Sequence, residues 1–281
     1  MGESQIESAR QELRRKHSEI WDPYESRPTP ELFHFTSPQG FCGIIEKHEL
    51  WCTDVSHVSD PREGDHGLSV VKSVVKRKSV YTPFKESVLN LDSLFGMKRA
   101  WTGYIACFCS AGEQPYMWQD YASGCTGCAL VFDYDALFAG AHGGKRYALF
   151  PMQYDPEIQT RQIEQTVDHA IHLERELEIS GRKHRERYWA EVEFILMACA
   201  IRFKDPSWSH EQEVRLWVSG GPDVTPFEAS GKRRVSAELE ASSLKRVIRG
   251  RTAGDNLSID RITDLLKQHH FGAVPVVEAA V

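Results

Sequence analysis

Gly103-Tyr104-Ile105-Ala106-Cys107-Phe108-Cys109, then Pro115-Tyr116-Met117-Trp118-Gln119-Asp120-Tyr121-Ala122, then Gly127-Cys128-Ala129-Leu130-Val131-Phe132, is the stretch that decides the fold. The first and last segments are unbroken apolar runs of strand length, which is how a strand buried on both faces reads. The segment between them predicts a short helix over 115–122. Strand, short helix, strand, with no long crossover, is the unit around which the rest must be arranged.

Outward toward the N-terminus, Leu32-Phe33-His34-Phe35-Thr36 predicts a short strand with aromatic alternation. Ser37-Pro38 predicts a helix start, with Ser37 as cap and Pro38 at the first helical position. That helix turns Phe41, Ile44 and Ile45 inward. Leu50 to Thr53 predicts a strand, and Asp60-Pro61-Arg62-Glu63 predicts the start of a helix running through Val70, Val71, Val74 and Val75. Ile6, Ala9, Leu13, His17 and Ile20 recur at helical spacing over 4–20, and Pro23, Pro28 and Pro30 make a linker.

Toward the C-terminus, Tyr147 to Tyr154 predicts a further strand. Residues 157–202 predict a helical pair broken near Ser180-Gly181, the second helix with an apolar face of Trp189, Val192, Ile195, Leu196 and Cys199. Strands are expected over 213–218, 233–237, 244–249 and 274–277, and a helix over 259–267. Helices separate the strands without a regular βαβ rhythm, so the class expected is α+β. The expected organisation is an N-terminal helix and linker over 1–30, then one domain over 31–281 with a helical insertion at about 157–202.

Composition narrows the function classes. The chain has 281 residues, 41% hydrophobic and 26% charged, enough to bury a core and unlike a disordered chain. No apolar run approaches the roughly 20 residues that span a bilayer. The charged start carries no secretory pattern, so reduced thiols in the cytosol are expected for the seven scattered cysteines. A net charge of −6 argues against a large nucleic-acid footprint but not against a nucleotide or a local contact.

Three stretches could carry chemistry: His34 on its strand before a capped helix, the 107–132 region, and Trp208-Ser209-His210-Glu211-Gln212-Glu213-Val214-Arg215-Leu216-Trp217. Strand alternation would point Glu211, Glu213, Arg215 and Trp217 one way. Two carboxylates so spaced need solvent, a cation or a substrate hydroxyl, and taken alone they read as a solvated edge strand with a salt bridge. His34 taken alone reads as a core-edge histidine donating to a carbonyl, and Trp118 with Tyr121 as a packed helix face.

Their order resembles something more specific. His34-Phe35-Thr36, Asp60-Pro61-Arg62-Glu63, Cys107-Phe108, Met117-Trp118-Gln119-Asp120-Tyr121 and Glu211-Gln212-Glu213-Val214-Arg215 resemble the motifs of a widespread bacterial domain family without assigned function. The same order resembles the ADP-ribosyltransferase fold of the H-Y-E kind. That resemblance implies a split β core with flanking helices and NAD as a substrate. The acceptor it implies is an unknown protein or nucleic-acid group, in a toxin or phage-defence factor. His34 would bond a ribose hydroxyl on the adenosine side, and the Phe35 backbone the nicotinamide amide, with Thr36 and Ser110 bordering the site. Tyr121 would stack on the nicotinamide ring. Glu213 would bind the 2′-hydroxyl of the nicotinamide ribose, and Glu211 would orient or deprotonate the acceptor. The tyrosine usual on the strand before the aromatic helix is absent; Cys109-Ser110 stands there.

Two other readings stand beside this one. A non-catalytic module could bind a nucleotide or partner on the same fold. Cys107-x-Cys109 and Cys125-x-x-Cys128, with His66 or His210, could hold zinc for a hydrolase, although Cys107 and Cys109 read better as small buried hydrophobes. The basic runs 182–187 and 232–234 read as solvated faces that could also guide a nucleic-acid acceptor.

Overall fold

A computed structural model describes residues 3–21, 30–58, 65–79, 103–110, 112, 114–141, 147–179, 182–220, 224–272 and 274–280. In chain order the first elements are α1 (Glu3–Trp21), β1 (Glu31–Thr36), α2 (Pro38–Lys47), β2 (Glu49–Asp54), α3 (Asp65–Ser79), β3 (Gly103–Cys109) and α4 (Pro115–Asp120). There follow β4 (Cys128–Asp133), α5 (Tyr134–Ala141), β5 (Tyr147–Pro151), α6 (Pro156–Glu176) and α7 (Arg182–Ala200). The last are β6 (Glu213–Ser219), β7 (Phe227–Ala229), β8 (Lys232–Glu238), β9 (Leu244–Arg249), α8 (Ile259–Gln268) and β10 (Val276–Glu278). The class is α+β, as expected. The expected helix start at Asp60-Pro61-Arg62-Glu63 lies outside the described residues.

The chain divides into two compact units. One comprises Met1–Ser26, Asp60–Trp101 and Met152–Ser209; the other comprises Arg27–Ser59, Thr102–Pro151 and His210–Val281. The first holds α1, α3, α6 and α7. Each presents an apolar stripe at helical spacing: Ile6, Ala9 and Leu13 from α1, Val71, Val74 and Val75 from α3, and Ile163, Val167 and Ala170 from α6. Asp155 caps α6, accepting from the backbone N–H groups of Glu157 and Ile158, with Pro156 at the first helical position. Across the unit, the buried Glu191 of α7 takes Arg14 Nε at 2.6 Å and Arg10 Nε at 2.9 Å from α1. Burial pushes the Glu191 carboxyl up, but hydrogen bonds from Arg14 and Arg10 outweigh it and hold it below the usual range. In the basic run, Arg185 pairs with Glu174 and Arg187 with Glu3, so these cations are used within the unit.

The second unit is a ten-stranded mixed sheet in the order β10-β9-β4-β1-β3-β2-β8-β7, with β6 joined to β3 and β5 to β6. The α2, α5 and α8 helices cover one face through Phe41, Ile44, Ile45, Leu137, Ile262 and Leu266. On the other face Met117 and Trp118 of α4 pack over Phe33, Phe35, Val131 and Ile248. Ser37 caps α2 as its sequence predicts, its hydroxyl accepting from Gly40 N–H at 3.1 Å.

β3 is where the sheet divides. Along one side it pairs with β6 over its full length, from Gly103↔Ser219 to Cys109↔Glu213. Along the other side it pairs with β2 only at Tyr104 and Ile105, and with β1 only at Cys109, opposite Phe33. Among the described residues the ladder on that side skips Ala106, Cys107 and Phe108. A gap therefore opens in the sheet between the departing β1 and β2.

Candidate active site

His34 fills that gap. Its Nδ1 lies 2.9 Å from the Cys107 carbonyl, meeting a backbone group at the point where the ladder is interrupted. The ring is tilted against Phe108, with centroids 5.6 Å apart. Burial pushes the imidazole pKa down, and the bond to the Cys107 carbonyl offsets this only in part, so the neutral form is favoured. A neutral ring that donates from Nδ1 leaves Nε2 as an acceptor. Cys107 O is the one hydrogen-bond partner His34 has among the described residues. Both the core-edge contact and a ring nitrogen with no hydrogen-bond partner among the described residues are thus present in one side chain.

The neighbours of His34 are placed by the ladder to β4, which pairs Phe35 with Ala129 and Thr36 with Cys128. The Phe35 ring meets Trp118 edge-on at 5.2 Å. Among the described residues, the opposite edge of β1 beyond Phe33 has no strand partner, so its backbone borders the gap. Thr36 closes the end of β1, where a Cβ on Gly127 would come within 2.0 Å of its carbonyl oxygen. Only glycine permits that approach, which fixes the turn after α4 against β1.

The glutamate region departs from strand alternation. β6 begins at Glu213, and Glu211 ends a short 3₁₀ helix over Pro206–Glu211. Between them Gln212 adopts φ +44°, a left-handed conformation unusual outside glycine. Its carbonyl accepts from both the Ser110 N–H, at 3.0 Å, and the Ser110 hydroxyl, at 3.1 Å. Ser110 therefore holds the turn that separates the two carboxylates. On one side of that turn, Glu211 is buried and accepts a 2.6 Å hydrogen bond from the Tyr121 hydroxyl. The Tyr116 hydroxyl donates to the His210 carbonyl, and the two rings meet at 4.8 Å.

On the other side, Glu213 and Arg215 form a two-pronged pair, Nε to Oε1 at 2.7 Å and an amino group to Oε2 at 3.0 Å. Each is 4% exposed. The solvated-edge reading therefore fails: β6 runs between β3 and β5, and its charged residues are inside. The ladder places Phe33, Cys109 and Glu213 in one cross-strand row and Cys107 opposite Arg215. By alternation His34 leaves β1 on the other face from Phe33, so His34 and Glu213 stand on opposite faces of the sheet, with β3 between them.

Two expectations are corrected here. Trp118 is buried but Tyr121 is 45% exposed, because α4 ends at Asp120 and Tyr121 turns out of the packed face. Cys109 is buried, whereas Cys107 is exposed in an otherwise buried strand. Among the described residues, no three His, Cys, Asp or Glu side chains converge as a metal site would require. Tyr116 and the gap itself were missed by sequence reasoning. The tyrosine had a weak signal, standing beside the Met117-Trp118 motif; the gap depends on pairing between distant strands and had none.

Residues 117–216 match the family described as protein of unknown function (DUF2971), a span holding both the Met117–Tyr121 and the Glu211–Arg215 motifs. No curated protein and no solved structure matches the chain. Among the described residues no helix is long and apolar enough to cross a membrane.

Proposed function

We propose that the protein cleaves NAD and transfers the ADP-ribose to a macromolecular acceptor, on a split β core of the ADP-ribosyltransferase kind. The observation that carries this reading is the gap on the β1/β2 side of β3, which a neutral His34 enters, with the fixed carboxylate that heads β6 across β3 from it. The nearly separate sub-sheets β1-β4-β9-β10 and β2-β3-β5-β6-β7-β8, joined through one residue pair among the described residues, support the split-core reading.

The roles follow from the groups present. His34 Nε2 accepts from a ribose hydroxyl of the adenosine half. The backbone edge of β1 at Phe35 meets the nicotinamide amide, with Thr36 at its end. The exposed Tyr121 ring offers a face to nicotinamide while its hydroxyl stays anchored on Glu211. Breaking the bond from the nicotinamide nitrogen to ribose C1′ sends the electron pair to nicotinamide and leaves positive charge on the sugar. Glu213, held in place by Arg215, stabilises that charge through the 2′-hydroxyl. Glu211 takes the proton of the incoming acceptor, or of water when NAD is simply hydrolysed.

One observation favours a second reading, a nucleotide-binding module without turnover: Arg215 engages both oxygens of Glu213. Nicotinamide release from NAD separates the two. Release by the wild type that is lost in Glu213→Gln/Arg215→Met supports the enzyme. Tight NAD binding without release, even with cell lysate as acceptor source, supports the module.

A further inference from the structure

We infer that the outer face of β2, β8 and β7 is a docking site for single-stranded nucleic acid, which on the reading above would be the acceptor. Five side chains make it. Trp51 of β2 is half-buried and meets Phe227 of β7 edge-on at 5.4 Å. Lys47, at the end of α2, places Nζ 5.1 Å from the Trp51 ring centre, and the Arg234 guanidinium of β8 lies 5.4 Å from it. Lys232 stands on the same face of β8, two residues from Arg234.

The charges there are not consumed by carboxylates among the described residues. None of Lys47, Lys232 and Arg234 has a carboxylate partner among the described residues, while arginines elsewhere, such as Arg246 with Glu31, are paired. Arg234 Nε is buried and has no hydrogen-bond partner among the described residues. Among the described residues of β2, β8 and β7, the acidic groups on this face are Glu49 and Glu238, which stand opposite each other in the ladder, and the Ser236 hydroxyl donates to Glu49 at 2.7 Å. Cations held against half-buried aromatic rings at the edge of a sheet suit a phosphate backbone with bases beside it. In a chain of net charge −6, such a patch sets where a polyanion can approach.

Register connects this patch to the glutamate site. Trp51 and Thr53 share a face; Thr53 pairs with Ile105, Ile105 with Trp217, and Trp217 shares its face with Arg215 and Glu213. Directly paired residues point the same way, so Arg234 and Glu213 lie on one face of the sheet. From β8 through β2 and β3 to Trp217 of β6 is three strand spacings, and Glu213 lies four residues further along β6, about 20 Å from Arg234 in all. A strand held at Trp51 would bring a neighbouring nucleotide toward the carboxylates.

The test is fluorescence anisotropy with a labelled single strand of about twelve nucleotides, within the usual site size of such surfaces. It is run without NAD, on the wild type and on Lys47→Glu/Lys232→Glu. The variant is expected to bind at least tenfold more weakly with an unchanged melting temperature. Its slope of log affinity against log salt should be shallower by about 1.4, because two fewer phosphates are neutralised. No binding at low salt, equal binding by the variant, or displacement of the strand by polyglutamate at equal charge would overturn the site. Repeating the titration on Glu213→Gln/Arg215→Met separates the two proposals, because strand binding is expected to persist there whether or not NAD is cleaved.

Discussion

Glu191 and Glu213 are both buried carboxylates gripped by arginine, one in each unit, and they differ in what the grip joins. Glu191 is held by Arg10 and Arg14, from a helix at the other end of the chain, so the pairing ties α1 to α7. Glu213 is held by Arg215, two residues along the same strand, and that bond ties nothing distant. A buried ion pair costs desolvation that its attraction barely returns. The Glu191 pairing has a tertiary contact to justify that cost. The Glu213–Arg215 bond joins near neighbours, and on the proposed reading its purpose is catalytic.

The contrast is sharpest on turnover. Glu213→Gln/Arg215→Met removes both members of the pair and replaces them by uncharged groups of similar volume. Nicotinamide release is expected to fall by about 10²–10³-fold, the usual loss for a charge-stabilising group, with little change in stability. The single Glu213→Gln change is a poorer probe, since it breaks the two-pronged pair and keeps the buried Arg215.

The reverse holds for the helical unit. Arg10→Ala/Arg14→Ala leaves Glu191 buried without these two cations and is expected to destabilise by about 3–5 kcal/mol, read from urea unfolding. Its acid sensitivity should change too. The Glu191 carboxyl lies below its ordinary value in the fold, so it contributes stability above that value and loses it as pH falls through the lowered one. The double variant should lack that component of acid unfolding.

Tyr121 sharpens the picture of the site. Tyr121→Phe keeps the exposed ring and removes its hydrogen bond to Glu211, and a loss of about tenfold in nicotinamide release is expected, at the low end of acid–base effects. Tyr121→Ala should cost more, chiefly as weaker NAD binding. Equal losses from both would remove the stacking role.

The smallest effect expected is at His34. Its pKa lies below the ordinary 6.5, so the unfolded chain takes up a proton first as pH falls. Stability from this group is full above about 6.5 and declines below it. His34→Asn should flatten the decline in melting temperature between about pH 7 and pH 5.5 by a small amount.

Local signals in the sequence located most elements of the sheet. The unbroken apolar run over 103–109 is β3, and Ser37-Pro38 marks the start of α2. The helix α5 was not legible: Asp133 supplies its first-turn cap, accepting from Ala136 N–H, but the residue closes a strand and reads as its end. The strand expected over 147–154 stops at Pro151, since Pro lacks the N–H that would continue a ladder. At the site, residue types were legible and their arrangement was not. Alternation alone would put Glu211 in line with Glu213, and only the left-handed Gln212, held by Ser110, takes it out of line. Cys107 is exposed for a similar reason, since its surroundings depend on where β1 and β2 leave β3.

Nicotinamide release and urea unfolding, run side by side on Glu213→Gln/Arg215→Met and Arg10→Ala/Arg14→Ala, decide whether the two ion pairs have different purposes. A crossed result is expected: the first pair of changes loses turnover and keeps stability, and the second loses stability and keeps turnover per folded molecule. Loss of stability without loss of turnover in the Glu213 variant would make that ion pair structural and remove the catalytic role given to Glu213.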